Sequence, residues 1–179
     1  MLFKGRENFL HELSVGCPDT EVLYCRNNIV IIKVNTFQDC NRLFYKDSID
    51  WCIARSKGHW DDYVGAPGQE QYFIIDFNHI NSEDRHLYNN SLIGFTLKDG
   101  NLYAAHARND RNLLDVYEKK NTGLHPFEEI LKNKGIYKFV IKNKMKHIDN
   151  SSSNKEMGIF WAFLVVIVLL MTSMLFKCS

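Results

Sequence analysis

The chain has 179 residues, 45% hydrophobic and 13% aromatic, with a formal net charge of +1. Balanced charge removes the electrostatic case for a nucleic-acid partner, and abundant Phe and Tyr with only 3 Pro exclude a disordered carrier. The length suffices for one domain with its own core.

In chain order, Glu7 to Leu13 predicts a short helix that Gly16 and Pro18 stop. Two apolar runs follow, Glu21 to Cys25 and Asn28 to Val34. Between them lies Arg26-Asn27-Asn28, and asparagine tolerates the left-handed backbone of a tight hairpin. Thr36 opens a helix with Phe37, Cys40, Leu43 and Phe44 at helical spacing, and Asp39 stands where a capping box would carry Glu. Ile49 to Ala54 and Gln71 to Phe77 read as strands, with a helical turn at His59 to Val64 between them. Leu87 to Leu97 and Leu102 to Ala107 read as strands joined at Asp99-Gly100, a hairpin dipeptide. Helical period returns at Asn109 to Lys119 and at His125 to Lys134, where Pro126 suits the first turn and Gly135 the end. Ile136 to Ile141 reads as a last strand. The expected class is α+β, a mostly antiparallel sheet with inserted helices, over residues 1–148.

Chemistry concentrates in Ile49 to Tyr63, IDWCIARSKGHWDDY, which holds a thiol, an imidazole, carboxylates and cations. A nucleophilic Cys52 would need a paired histidine, His59 or His106, oriented by Asp61 or Asp62. The apolar neighbours Trp51, Ile53 and Ala54 instead predict an inert core thiol, and Trp60 and Tyr63 are expected to plug the core. Spacings of 8, 15 and 12 residues between Cys17, Cys25, Cys40 and Cys52 match no zinc pattern, and reduced thiols are expected. His59, His79, His86 and His106 form no short-range ligand pair, so neither a metal nor a cofactor is expected. Arg108 and Arg111, flanking Asp110, read as a surface charge cluster, with an anion site as the alternative. Phosphate-binding glycine loops and the nucleophile-elbow motif are absent from the sequence.

The stretch from Trp51-Cys52-Ile53-Ala54 through His59-Trp60-Asp61-Asp62-Tyr63 to Gln71-Tyr72-Phe73-Ile74-Ile75 resembles a module of large tailed phages. In that module a W-C-x-A strand precedes an aromatic-x-x-Tyr helix and a Tyr-aromatic-Ile strand. The resemblance covers about Ile49 to Phe77. It implies a viral setting with a bacterial cytosol and inner membrane, and it brings no established activity or catalytic residues.

Met157 to Phe176, MGIFWAFLVVIVLLMTSMLF, runs 20 residues without a charge. At 1.5 Å per residue it matches the roughly 30 Å hydrocarbon core of a bilayer. Lys142, Lys144 and Lys146 before it set the N-terminal side as cytoplasmic; Lys177 alone lies beyond, and Trp161 suits the interface. Met1 to Val15 carries Lys4, Arg6, Glu7 and Glu12, so no signal peptide is expected. Residues 149–156, with Ser151 to Ser153, read as a polar linker, and 177–179 as a far-side tail. The expected protein is single-pass and tail-anchored, presenting a cytosolic interaction or assembly domain to a protein partner. A phage assembly factor starting head or portal construction at the host inner membrane is one form of this. An anchored Cys/His-dependent enzyme and a host-membrane effector or lysis-timing protein are the alternatives.

Overall fold

Ile29-Val30-Ile31-Ile32-Lys33-Val34 is apolar at both parities, a pattern that suits a strand covered on both faces. The computed structural model, which describes residues 4–45, 51–114 and 125–140, shows this strand inside a five-stranded antiparallel sheet. Helix α1 (Arg6–Gly16) leads into β1 (Thr20–Arg26), β2 (Ile29–Val34) and α2 (Phe37–Phe44). Short helices α3 (Cys52–Arg55) and α4 (Lys57–Tyr63) precede β3 (Gln69–Asp76). Then come α5 (Arg85–Asn89), β4 (Leu92–Lys98), β5 (Asn101–Ala107) and α6 (Pro126–Asn133). The strands are ordered β1-β2-β3-β4-β5, an antiparallel meander, so the α+β expectation holds.

Alternation along the strands makes two cores. Val30, Ile32, Val34, Phe73 and Ile75 pack on one face with Phe9, Leu13, Leu43, Phe44, Trp51 and Trp60 from the helices. Ile29, Ile31, Ile74, Ile93 and Phe95 pack on the other with Phe127 and Leu131 of α6. Phe95 bridges the layers on that side, stacked on Tyr72 at 5.0 Å and tilted against Phe127 at 5.6 Å. Both hairpins turn through left-handed pairs, Asn27-Asn28 (φ 52° and 57°) and Asp99-Gly100 (φ 50° and 74°). Their sense matches the right-handed strand twist, which is why these dipeptides were informative.

Several expectations are corrected. Thr36 does cap α2, accepting from the Asp39 backbone N–H at 3.3 Å, but the Asp39 carboxylate does not close a capping box. It accepts instead from the Asp19 N–H (3.1 Å) and the Thr20 hydroxyl (2.8 Å), fastening the entry of β1 to α2. Within the run expected as a strand from Ile49, Cys52–Arg55 is helical, and Trp51 and Ala54 bury the same face one turn apart. A four-residue apolar stretch carries too little period to separate the two states. The strand expected from Leu87 begins at Leu92, because Asp84 accepts from the His86 and Leu87 N–H groups and starts α5. Residues 137–140 are helical rather than extended, following Gly135 at φ 71°.

The helix expected from Asn109 does not form in its described part. Asn109 and Asn112 side chains accept from the Arg111 and Leu114 N–H groups, and such local bonds compete with helix. The linker, the membrane span and Lys142, Lys144, Lys146, Trp161 and Lys177 lie outside the described residues. Among the described residues no helix is long and apolar enough to cross a membrane.

Lys134, just past α6, pairs with the Asp76 carboxylate at the end of β3, with side chains 9% and 4% exposed. Asp76 also accepts from the Asn78 backbone N–H at 3.1 Å. Removing one partner of a buried pair strands a charge. Lys134→Met is expected to lower unfolding free energy by about 3 kcal/mol in urea titrations. Adding Asp76→Asn is expected to recover much of it; a single-variant loss below about 1 kcal/mol would show that the pair is not holding α6 to the sheet.

Candidate functional site

Three residues of the sequence Trp51, Cys52 and Ile53 arrive at one cavity because Trp51 is anchored twice. Its ring stacks on Phe73 with centroids 5.3 Å apart, and its Nε1–H donates to the Ala107 carbonyl at 3.0 Å. Ala107 is the last residue of β5, immediately after His106. The bond therefore brings the start of α3 against the end of β5, across 56 residues of sequence.

Between them lies a cavity of about 240 Å³, with Cys52, His106 and Asp110 in its lining. Its floor includes Gln71 and Thr96, both buried, with the Thr96 hydroxyl donating to Gln71 Oε1 at 2.7 Å. The Gln71 Nε2 donates to the Tyr72 carbonyl at 3.2 Å. Gly94 keeps the floor open: a Cβ there would lie 3.2 Å from the Phe73 ring and 3.4 Å from Gln71 Nε2. Tyr103 stands at the rim, 51% exposed.

His106 is oriented by its neighbour in the following turn. Its Nδ1 lies 3.2 Å from the Asp110 carboxylate and 3.4 Å from the Asp110 carbonyl. With Nδ1–H donated to the carboxylate, Nε2 is the nitrogen that can take a proton. Asp110 sits at φ 60°, a left-handed position that aspartate tolerates better than most residues. Its N–H donates to the Ala107 carbonyl at 2.9 Å, so that oxygen accepts from both Trp51 and Asp110.

Cys52 is half-buried, not the core thiol that its apolar neighbours suggested. Burial, with the Asp110 charge as a second cause, raises its pKa; backbone N–H groups of Ile53 and Cys52 oppose the rise. The resting group is therefore a thiol. Cys17 and Cys40 are buried, whereas Cys25 is exposed on β1.

The structure thus places Cys52 and His106 in the lining of one cavity and the other histidines elsewhere. His59 lies on α4 with its ring near Tyr63, at 6.2 Å between centroids. Asp61 pairs with Lys57 at 2.5 Å, and neither Asp61 nor Asp62 lines the cavity. His79 and His86 line a separate cavity beside Lys134. Trp60 is core, but Tyr63 is 53% exposed and lines the cavity rim, correcting its expected burial. Arg108 packs over the Tyr88 ring at 4.1 Å and donates to the Ile80 carbonyl at 3.2 Å. In the sequence Asp110 belongs to a charge cluster, and its four-residue spacing from His106, across a turn, is the signal that links the two. Among the described residues no group of three or more His, Cys, Asp or Glu could hold a metal ion.

Comparison with family models, curated proteins and solved structures finds no match to this chain.

The buried thiols set an alkaline limit on stability. Burial first, then the Asp39 charge, pushes Cys17 from an ordinary 9.0 up to about 11. Cys40 and Tyr72 are also raised, chiefly by burial. A raised folded pKa means the unfolded chain loses its proton first, so stability is intact below pH 9.0 and falls as pH rises toward about 11. The urea midpoint is expected to stay flat to that lower limit and then drop, with a shallower drop in Cys17→Ala. A midpoint that rises through this window would contradict the burial of these groups.

Proposed function

We propose that this protein is a single-pass, tail-anchored membrane protein whose cytosolic α+β domain recognises a protein partner through the Cys52–His106 cavity. The cavity carries the reading. At about 240 Å³ it is smaller than the roughly 300–1,000 Å³ of a small-molecule pocket, yet it suits one side chain. It is walled by Trp51 and Tyr103 and floored by the Gln71–Thr96 pair, giving apolar contact with a few fixed polar groups. The uncharged run from Met157 to Phe176 supports the anchor, and the lysines before it support a cytosolic domain. On this reading the partner is a head or portal component assembling at the host inner membrane, the setting implied by the Ile49 to Phe77 resemblance.

The anchor is tested by alkaline carbonate extraction. The full chain is expected in the membrane pellet, and a chain lacking Met157 to Ser179 in the supernatant with its fold retained. Extraction of the full chain by carbonate would remove the anchor from the proposal.

Recognition is tested in cells by a photoreactive benzoylphenylalanine at Tyr103, against the same probe at Tyr45, which is equally exposed at 52% but does not line the cavity. A discrete adduct is expected from position 103 alone, lost when Ala104→Trp fills the cavity. An adduct that survives Ala104→Trp, or forms equally from position 45, places the partner elsewhere.

A further inference from the structure

The cavity holds more chemistry than docking needs. An aromatic-walled pocket that merely accepts a side chain requires no thiol, and no imidazole with one nitrogen committed to a carboxylate. Here both are supplied by separate elements, α3 and β5, and the Trp51 to Ala107 bond fixes those elements together at 3.0 Å.

Building on the docking reading above, we propose that Cys52 is a nucleophile for acyl transfer, with His106 as its general base and Asp110 as the residue that positions His106. The substrate is a side-chain carbonyl, a carboxamide or an ester, presented by the protein partner. The cavity volume limits the acyl portion to side-chain size, and the partner outside supplies the rest of the contact.

The chemistry balances with water as the co-reactant. Cys52 Sγ attacks the carbonyl carbon while its proton moves to His106 Nε2, and the carbonyl electron pair moves to oxygen. Collapse of the tetrahedral species breaks the C–N or C–O bond. His106 returns the proton to the departing amine or alcohol, and a thioester remains on Cys52. Water then attacks the thioester, giving its proton to His106; the C–S bond breaks, Cys52 is reprotonated and a carboxylic acid leaves. No electron is gained or lost overall.

Base activation suits a thiol that is protonated at rest, as opposed to a standing thiolate–imidazolium pair. Gln71 supplies a donor at the floor. One Nε2 hydrogen goes to the Tyr72 carbonyl, and Thr96 fixes the amide through Oε1; in the proposed reaction the second hydrogen donates to the oxygen that becomes negative. Asp110 belongs to the rim, with side-chain exposure of 49% against 37% for His106, so its role is orientation more than charge storage.

The test uses the full chain in detergent micelles with p-nitrophenyl acetate, following p-nitrophenolate release and locating the acetyl group by peptide mass spectrometry. A burst and an acetyl thioester at Cys52 are expected, formed faster than at the exposed Cys25. His106→Ala is expected to slow acylation about 10²- to 10⁴-fold. Asp110→Asn is expected to lower the acylation rate constant with the half-saturating ester concentration unchanged, a split that general loosening of the cavity would not give. Cys52→Ser, nearly isosteric, guards against a folding defect in Cys52→Ala, and both should lose the thioester. Acetylation of Cys52 no faster than of Cys25, or an unchanged rate in His106→Ala, overturns the nucleophile. The two readings fail separately. A position-103 crosslink that persists without Cys52 acylation overturns catalysis alone, and loss of the crosslink's dependence on the cavity overturns the docking on which it rests.

Discussion

One carbonyl oxygen, that of Ala107, organises this molecule. It accepts from the Trp51 indole at 3.0 Å and from the Asp110 backbone N–H at 2.9 Å, using both of its lone pairs. Trp51 precedes Cys52, Ala107 follows His106, and Asp110 holds the His106 ring. Two bonds to a single atom therefore hold together the chain segments that carry all three cavity groups. Such a bond contributes only about 1 kcal/mol net, but losing a donor inside the core leaves the carbonyl partly unsatisfied. The aromatic stack beneath it resists that loss: Phe73 lies 4.1 Å from Phe44 and 5.3 Å from Trp51, so α2, α3 and β3 are packed as one unit.

The sheet makes this placement stable because its middle strands are covered on both sides. Residues of opposite parity on β2 and β3 enter different cores, and a one-residue slip would exchange the two sets and misplace every aromatic contact. The Tyr72–Phe95 and Gln71–Thr96 pairs lie directly across β3 and β4, one pair on each face. Polar atoms on the cavity side are bonded to each other, which lets a polar floor persist among apolar neighbours. Gly94 completes it by leaving room for the Phe73 ring.

The sequence was legible where local chemistry is strong. Asn27-Asn28 and Asp99-Gly100 turn as expected, since few residues accept left-handed backbone, and Thr36, Pro126 and Gly135 mark helix ends as their chemistry requires. It was misleading where a few apolar residues had to choose between periods, at Cys52 and Ile136, and where Asn side chains bonded backbone after Asn109. The candidate site was half legible. Cys52 and His106 were readable as residue types, but what joins them is a tertiary bond from an indole to a backbone carbonyl, which no spacing encodes. Asp61 and Asp62 drew attention by proximity in sequence, whereas Asp110, reached through a turn, stands beside His106.

The proposed anchor and the small cavity fit one physical argument. A pocket of side-chain size offers limited contact area, so alone it would hold a partner weakly. In the proposed function, confinement of both molecules to one membrane would raise the effective concentration that the pocket experiences, as a linker does for paired binding modules. Weak intrinsic contact then suffices for occupancy and still permits release. Release matters if Cys52 turns over, because an acylated thiol must admit water after the leaving portion departs. The half-exposed rim formed by Tyr103, His106 and Asp110 gives water that route, while Trp51, Gln71 and Thr96 stay buried and keep the floor in place.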